Sequence, residues 1–409
     1  MNSYSPVVIV GCGPYGLSLA AHLRARGIEF RIFGKPMDFW KRQMPRGMYL
    51  KSDGFASDLY APNDGFTLKH FCAKQGIAYA DIGIPVGLET FVSYGLAFKD
   101  AMVTELDERH VASIARDPRG FSVTLEDGEV VTAGRVVVAV GISYFPYVPP
   151  ALAGLPSELL THSSEHHDLT CFRSRDVVVV GGGSSATDIT ALLYDLGANV
   201  QMIARRDKLN FNEEPDSIRE FSRSTWQQIR KPMSGIGPGW RYKLYGDAPW
   251  LFRQLPRTLR HRVVRRSHGP AGAWFIRKKV ENGPRLLLGS ILERAERQGD
   301  RIRLELRAAD GARLKVEPQH IIAATGYKLD VQRLPFLSQE IRARLKTAAG
   351  TPVLSREFQA SIPGLYFLGT LSANCFGPVM RFAFGAGYAA RRLTQALGQQ
   401  RTLAHQPAH

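Results

Sequence analysis

A chain of 409 residues, 44% of them hydrophobic, carries enough apolar material for two or three packed domains. No run of about 20 uninterrupted apolar residues occurs, so nothing in the sequence is expected to span a bilayer, and a cytoplasmic location is the default expectation. Its 53 Lys and Arg against 37 Asp and Glu leave a formal charge of +16, which favours phosphates, acidic small molecules or anionic lipid as partners. No nucleic-acid module is visible. The four cysteines, Cys12, Cys72, Cys171 and Cys375, form neither a C-x-x-C pair nor metal-ligand spacing, so neither dithiol chemistry nor a metal site is expected.

The chain opens on VVIV (Val7–Val10), then GCGPYG (Gly11–Gly16), an amphipathic LSLAAHLRARG and a second apolar stretch, IEFRIF. The glycines and Pro14 interrupt the apolar run and no basic leader precedes it, so it reads as strand, turn and helix rather than a signal peptide. In this turn Gly11 permits the tight bend, Gly13 lets a pyrophosphate approach the backbone, and Gly16 lets helix and strand pack closely. Pro14 and Tyr15 open the helix, whose N-terminus faces the phosphates. An acid is expected about 20 residues further on to hold the ribose, but Gly34 stands there, followed by Lys35. Lys35 either contacts the adenosine side or is a solvated charge at the strand end.

A second cradle follows DVVVV at Gly181–Ala186, with Gly181, Gly183, Ser184, Ser185 and Ala186 in the spacing G-x-G-x-x-A. Its second strand ends in Arg205 and Arg206, and guanidinium groups pair well with a 2′-phosphate, so NADPH is expected over NADH. The alternative is two arginines merely exposed at a strand end. Beyond Arg206 lie Trp226, Trp240, Trp250 and Trp274, with GIGPGW and GPAGAW turns, in a segment longer than an ordinary connection. These aromatics either line a substrate entrance or simply pack.

LFRQLPRTLRHRVVRR (residues 251–266) reads as a basic amphipathic helix after Pro256, suited either to peripheral contact with anionic lipid or to packing on the protein with its arginines solvated. Near the end, Gly377, Pro378 and Val379 precede a helical pattern, and Pro378 suits a first-turn position.

Two cradles 170 residues apart, with VVVAVG (Val136–Gly141), IIAATGY (Ile321–Tyr327) and GLYFLG (Gly364–Gly369), resemble the two-domain flavin monooxygenases over most of the chain. The segment beginning at His162 is similar to the linker of the FMO-type and Baeyer–Villiger enzymes, with His162 at the fingerprint histidine and His166 in its aromatic position. The stretch from Phe39, including Phe55 to Leu59, together with ATGY resembles the lysine and ornithine N-hydroxylases; Ser57 and Gln319 stand where that group has a lysine and an acid.

The resemblance implies an α/β fold of two Rossmann-type dinucleotide-binding domains, an NADPH domain inserted into a discontinuous FAD domain. The FAD part would span 1–160 and 325–409, and the NADPH part 161–324, with a Trp- and Arg-rich insertion at about 210–290. FAD and NADPH would be held by the two cradles together with Lys35, Trp40, Lys51, Gly141, Thr325, Gly326, Gly369, Gly377, Pro378 and Val379. The helix after Pro378 would face the flavin N1–C2 edge. Ser52, Asp53 and Ser57 are the polar groups expected near the reactive edge of the ring. The implied chemistry is reduction of FAD by NADPH, formation of a C4a-(hydro)peroxyflavin from dioxygen, and oxygen transfer to a small organic substrate, most directly an amine nitrogen. A rival reading is an NAD(P)H-dependent flavin reductase that passes electrons to a protein or quinone.

Overall fold

A computed structural model describes residues 3–404 apart from 63–64, 222–228, 230–231, 268 and 270; Trp226 lies outside the described residues. Val7–Val10 and Val136–Val138 are buried without a polar face. Such strands are stable only inside a sheet covered on both sides. β1 (Ser3–Val10), β2 (Arg31–Phe33), β3 (Leu106–Asp107), β4 (Val111–Asp117), β5 (Gly120–Leu125) and β6 (Val130–Val138) form one sheet in the order β3-β2-β1-β6-β5-β4. The first four of that order run parallel, and β5 and β4 are antiparallel additions. β5 shows the alternation of a half-covered strand, with Phe121, Val123 and Leu125 buried and the residues between them only half-buried. The Pro14–Ala25 helix that joins β1 to β2 is buried over Gly16–Leu23, sandwiched between this sheet and the last helix, Gly385–Ala404.

The middle of the chain builds a second parallel sheet. β7 (Leu160–His162), β8 (Asp176–Val180) and β9 (Asn199–Ile203) are followed by a short hairpin, β10 (Met233–Ser234) with β11 (Gly237–Pro238). β12 (Arg285–Leu287) and β16 (His320–Ala323) complete it, and between them in sequence come the antiparallel strands β13 (Ile291–Gln298), β14 (Arg301–Arg307) and β15 (Arg313–Val316). The order is β12-β9-β8-β16-β7, with β13–β15 as a separate sheet. After a small hairpin of β17 (Thr347–Ala348) and β18 (Thr351–Pro352), β19 (Leu365–Phe367) returns to the first sheet and pairs in parallel with β6, Leu365 opposite Val136. The first sheet therefore takes strands from both sides of the second in sequence. No helix among the described residues is long and apolar enough to cross a membrane.

One expected element is displaced. Pro378 opens only a 3-10 turn, Pro378–Arg381; Phe382 is extended, and the long helix starts at Gly385. The Phe382 carbonyl accepts a hydrogen bond from the Tyr15 hydroxyl at 3.0 Å, which holds a non-helical residue between turn and helix.

Candidate functional site

The carboxyl ends of the parallel strands in both sheets open onto one cavity of about 3640 Å³, walled by Val10, Ala139, Val180, Ala204 and Ala324 among others. In open α/β sheets ligands bind at this end. In the first cradle Gly11 has φ 111°, and a Cβ there would lie 2.6 Å from the Ala139 carbonyl oxygen. A Cβ on Gly16 would lie 1.9 Å from the Gly11 carbonyl oxygen, so helix and turn touch through this glycine. Gly13 differs from both: a Cβ there would meet no protein atom within 4 Å, and the residue lines the cavity.

The second cradle repeats this pattern. Gly181 has φ 151°, and its Cβ would lie 2.3 Å from the Ala324 carbonyl oxygen, while Gly183 lines the cavity. Gly13 and Gly183 are the N-cap residues of two 12-residue helices, Pro14–Ala25 and Ser184–Asp195, and neither helix has a side-chain cap. Two helix N-termini with uncapped N–H groups thus point at one cavity, which fits two pyrophosphates.

The strand ends are unlike each other. After β2, Gly34 (φ 123°) donates its N–H to the Asp107 carbonyl at 2.9 Å, and Lys35 lines the cavity together with His110. After β9, Arg205 and Arg206 line the cavity, Arg205 exposed and Arg206 half-buried.

Between the cradles Lys51 reaches from the first lobe to the helix of the second. Its Nζ lies 3.1 Å from Asp188 Oδ2, contacts the Ser184 hydroxyl, and is 3.4 Å from the Ala271 carbonyl. Burial pushes the Lys51 amine down and the Asp188 carboxyl up, each shift opposed by the partner. Lys51 is therefore engaged at the second cradle, and Asp188 is a partner that no local motif announced. Asp53 lines the cavity, and burial raises its carboxyl from 3.8 to about 6 against the pull of Arg219. Ser52 also lines it. Ser57 is fully buried at the cavity wall, and its hydroxyl donates to the Asp53 carbonyl at 3.0 Å, closing a turn.

Trp40, packed edge-on against Phe91 at 4.9 Å, stands on the wall with Tyr15, Gly141, Ser185, Thr325, Gly326 and Gly369. Thr325 donates its hydroxyl to the Tyr147 carbonyl. Gly16 lies behind the first cradle, and Gly377, Pro378 and Val379 are set back from the cavity; a Cβ on Gly377 would meet the Phe252 ring at 3.2 Å. His162 is buried: Nδ1 receives the Ser164 N–H at 3.1 Å, and Nε2 lies 3.0 Å from the Gly326 carbonyl. Burial lowers its pKa, so the neutral ring pins the ATGY turn to the linker rather than facing the cavity.

The inserted segment forms the remaining wall. Trp240 and Trp274 line the cavity, Trp240 at its exposed rim, and Trp250 is exposed away from it. The predicted basic helix is present as Arg257–Arg266; Val263 and Val264 pack on the main core and Arg260 donates to the Cys375 carbonyl at 3.2 Å. Its other side, with His261, Arg262, Arg265 and Arg266, lines the cavity.

Residues 99–235 match the pyridine nucleotide-disulphide oxidoreductase family. Among curated proteins, ferredoxin–NADP reductase of Mesorhizobium japonicum is 34% identical over 115 residues, 28% of this chain and 33% of that enzyme. The Thermus thermophilus reductase is 25% identical over 228 residues, 54% of this chain and 58% of its own length. The chain thus spans about a third to just over half of the curated relatives it matches.

Solved structures match nearly end to end. The ornithine N-hydroxylase of Kutzneria sp. 744, described with reduced FAD, NADP⁺ and L-ornithine, superposes with TM-score 0.77 at 16% identity, covering 97% of this chain and 100% of that one. Ornithine hydroxylase from Pseudomonas aeruginosa gives 0.76 at 19% identity, with 97% and 100% covered. Bacillithiol disulfide reductase from Staphylococcus aureus gives 0.64 at 16%, with 98% and 99% covered. The chain has the two-dinucleotide-domain α/β fold shared by the N-hydroxylating and flavin-containing monooxygenases.

Proposed function

We propose that the protein is an FAD-dependent, NADPH-consuming monooxygenase that hydroxylates an amine nitrogen of a small organic molecule. The observation that carries this reading is the pair of uncapped, glycine-opened helix N-termini facing one cavity, in a fold that matches ornithine N-hydroxylases along nearly its whole length. In this reading FAD occupies the first cradle, in a lobe made of residues 1–160 and 325–409, and NADPH the second, in residues 161–324. The overall reaction is R–NH₂ with NADPH, a proton and dioxygen giving R–NHOH, NADP⁺ and water. FAD, when bound, takes the two electrons from NADPH and delivers them to dioxygen.

The chain's own residues bind, orient and exclude water. Gly13 and the N–H groups of the first helix hold the FAD pyrophosphate; Gly183, Ser184 and Ser185 hold that of NADPH, with Arg205 and Arg206 at its 2′-phosphate. Lys51 fixes the second helix against the first lobe through Asp188. Asp53, whose carboxyl titrates near 6, is the group at the wall suited to hold or release a proton near neutral pH. Trp40 and Trp274 narrow the space and keep it dry.

The matches to ferredoxin–NADP reductases favour a second reading, in which reduced FAD passes its electrons to a protein or quinone acceptor. Parallel measurement of NADPH oxidation, dioxygen uptake and hydroxylamine formation across an amine panel that includes ornithine and cadaverine separates the two. Oxygenation predicts one NADPH and one dioxygen consumed per hydroxylamine formed. Rapid acceptor reduction with no hydroxylated product from any amine replaces it with the reductase reading.

A further inference from the structure

Four arginines line the cavity at and beside the basic helix. Arg262, Arg265 and Arg266 come from the Arg257–Arg266 helix, and Arg381 from the turn that precedes Phe382. Arg381 links this group to the first cradle, because Phe382 next to it accepts the Tyr15 hydroxyl bond. Among the described residues its hydrogen bonds both leave from Nη1, to the Val264 carbonyl at 3.4 Å and the Ser267 carbonyl at 3.3 Å. A guanidinium carries five N–H donors, so the Nε and Nη2 edge remains for another acceptor. Arg381 is solvent-exposed at the cavity wall, and the partial desolvation there lowers its pKa with no carboxylate among the described residues to oppose it.

No ion pair among the described residues involves any of these four. The acids of the inserted segment that do pair, pair elsewhere: Glu220 with Lys69, Asp247 with Lys243 and Glu281 with Arg277. The undescribed stretches 222–228 and 230–231 contain no acid. Glu213, Glu214 and Asp216 also line the cavity, but on the strap that binds Arg219 to Ile82. Arg265 and Arg266 sit in the last turn of their helix, where positive charge is favourable, but Arg262 and Arg381 gain nothing from that. All four are solvent-exposed, so an entering oxyanion meets guanidinium groups that no carboxylate among the described residues neutralises.

We propose that Arg381 with Arg262, Arg265 and Arg266 forms a subsite for an oxyanion group of the substrate, a carboxylate or a phosphate, so that the molecule oxygenated has an acidic end held near the inserted helix and its reacting end toward the first cradle. This rests on the monooxygenase reading for the identity of the ligand as substrate, whereas anion binding itself does not depend on turnover. The 2′-phosphate of NADPH is assigned to Arg205 and Arg206, just after β9, and leaves these four arginines available.

The test uses the flavin-loaded enzyme saturated with NADP⁺, so that nucleotide phosphate sites are filled. Inorganic pyrophosphate and glutarate are titrated while tryptophan fluorescence is followed, since Trp240 and Trp274 line the cavity. Saturable binding is expected, weakened about tenfold or more by Arg381→Gln and by Arg262→Gln with Arg265→Gln, and partly restored by Arg381→Lys. NADP⁺ affinity and flavin content are expected to stay at wild-type values. In turnover, 6-aminohexanoate and O-phosphoethanolamine are expected to exceed 1,5-diaminopentane in kcat/KM, the better of the two naming the oxyanion, and Arg381→Gln is expected to erase the preference.

Absence of saturable binding by either anion overturns the proposal, as does an equal loss of NADP⁺ affinity in the variants, which would assign the arginines to the nucleotide. Binding to phosphatidylglycerol vesicles that the double variant abolishes, with no binding of the small anions, overturns it in favour of a lipid surface. If the anions bind but no amine is oxygenated, the subsite stands and the monooxygenase reading falls.

Discussion

The first cradle is roofed by chain from far along the sequence, whereas at the second, among the described residues, Lys51 reaches across and the strand end is exposed. Tyr15 donates to the Phe382 carbonyl, and a Cβ on Gly369 would already touch the Tyr15 ring at 3.4 Å. At the second cradle Lys51 arrives from outside the lobe, and Arg205 at the strand end is exposed. The third position of the turn follows the same division: Gly16 has no room for a methyl group, but Ala186 carries one. An enclosed cradle suits a dinucleotide that stays with the protein. An open one suits a dinucleotide exchanged at every turnover.

The largest effect is expected where the enclosed cradle is tightest. Gly16→Ala forces a methyl group to within 1.9 Å of a backbone oxygen, and the protein is expected to purify without flavin or not to fold. Ala186→Gly in the open cradle costs only about 1 kcal/mol of helix propensity. Flavin absorbance per chain and thermal unfolding of both variants measure the contrast; similar losses in the two would abolish the distinction drawn above.

Next is the side chain that joins the cradles. Lys51→Met leaves Asp188 buried without its partner and is expected to cost about 3–5 kcal/mol in denaturant unfolding, less to the extent that Asp188 takes up a proton. Adding Asp188→Leu is expected to recover most of that loss. A single variant as stable as the wild type would show that the lobes are held without this pair.

At the open strand end, replacing both Arg205 and Arg206 by Ala is expected to weaken NADPH binding by roughly 1.5–3 kcal/mol for each charge-assisted hydrogen bond removed, with NADH little changed. Titration of each nucleotide into the flavin-loaded protein reads this directly, and equal losses for both would remove the 2′-phosphate assignment.

The smallest effect concerns Asp53. Its carboxyl is raised to about 6 in the folded chain from 3.8, so the stability it contributes is complete below pH about 4 and lost as pH rises through about 6. Asp53→Asn is therefore expected to exceed the wild type by about 1–2 kcal/mol at pH about 7.5, with the difference vanishing near pH 4. Urea unfolding at the two pH values decides it, and a variant no more stable at the higher pH would mean that the ionised carboxylate is already compensated.

Both cradles are legible in the sequence because every part of each lies within about 30 consecutive residues and each glycine answers a local steric demand. The helix expected at Pro378 starts later for the opposite reason: the bond from Tyr15 that keeps Phe382 extended comes from the other end of the chain. Asp188 is invisible as a partner of Lys51 for the same cause, since it sits on the buried side of an ordinary-looking helix. The basic helix is amphipathic as its spacing predicts, but periodicity does not say what faces its charged side. Here that neighbour is a cavity. Ser57 has the residue type expected of a catalytic group, yet its hydroxyl closes a local turn, as serines in such segments commonly do.

The return of β19 to β6 also bears on how the protein is made. Val136–Val138 emerge from the ribosome more than two hundred residues before the strand that covers their outer edge. The middle lobe, whose parallel strands all lie between residues 160 and 323, has its whole sheet available well before that. Synthesis thus leaves a Val-rich strand edge waiting for Leu365–Phe367, a template for pairing with another nascent chain. A chain stopped before Leu365 would keep both glycine turns but lose the Gly369 and Phe382 roof over the first, so loss of this segment should lower the yield of soluble protein and flavin retention while leaving the second cradle's own residues in place.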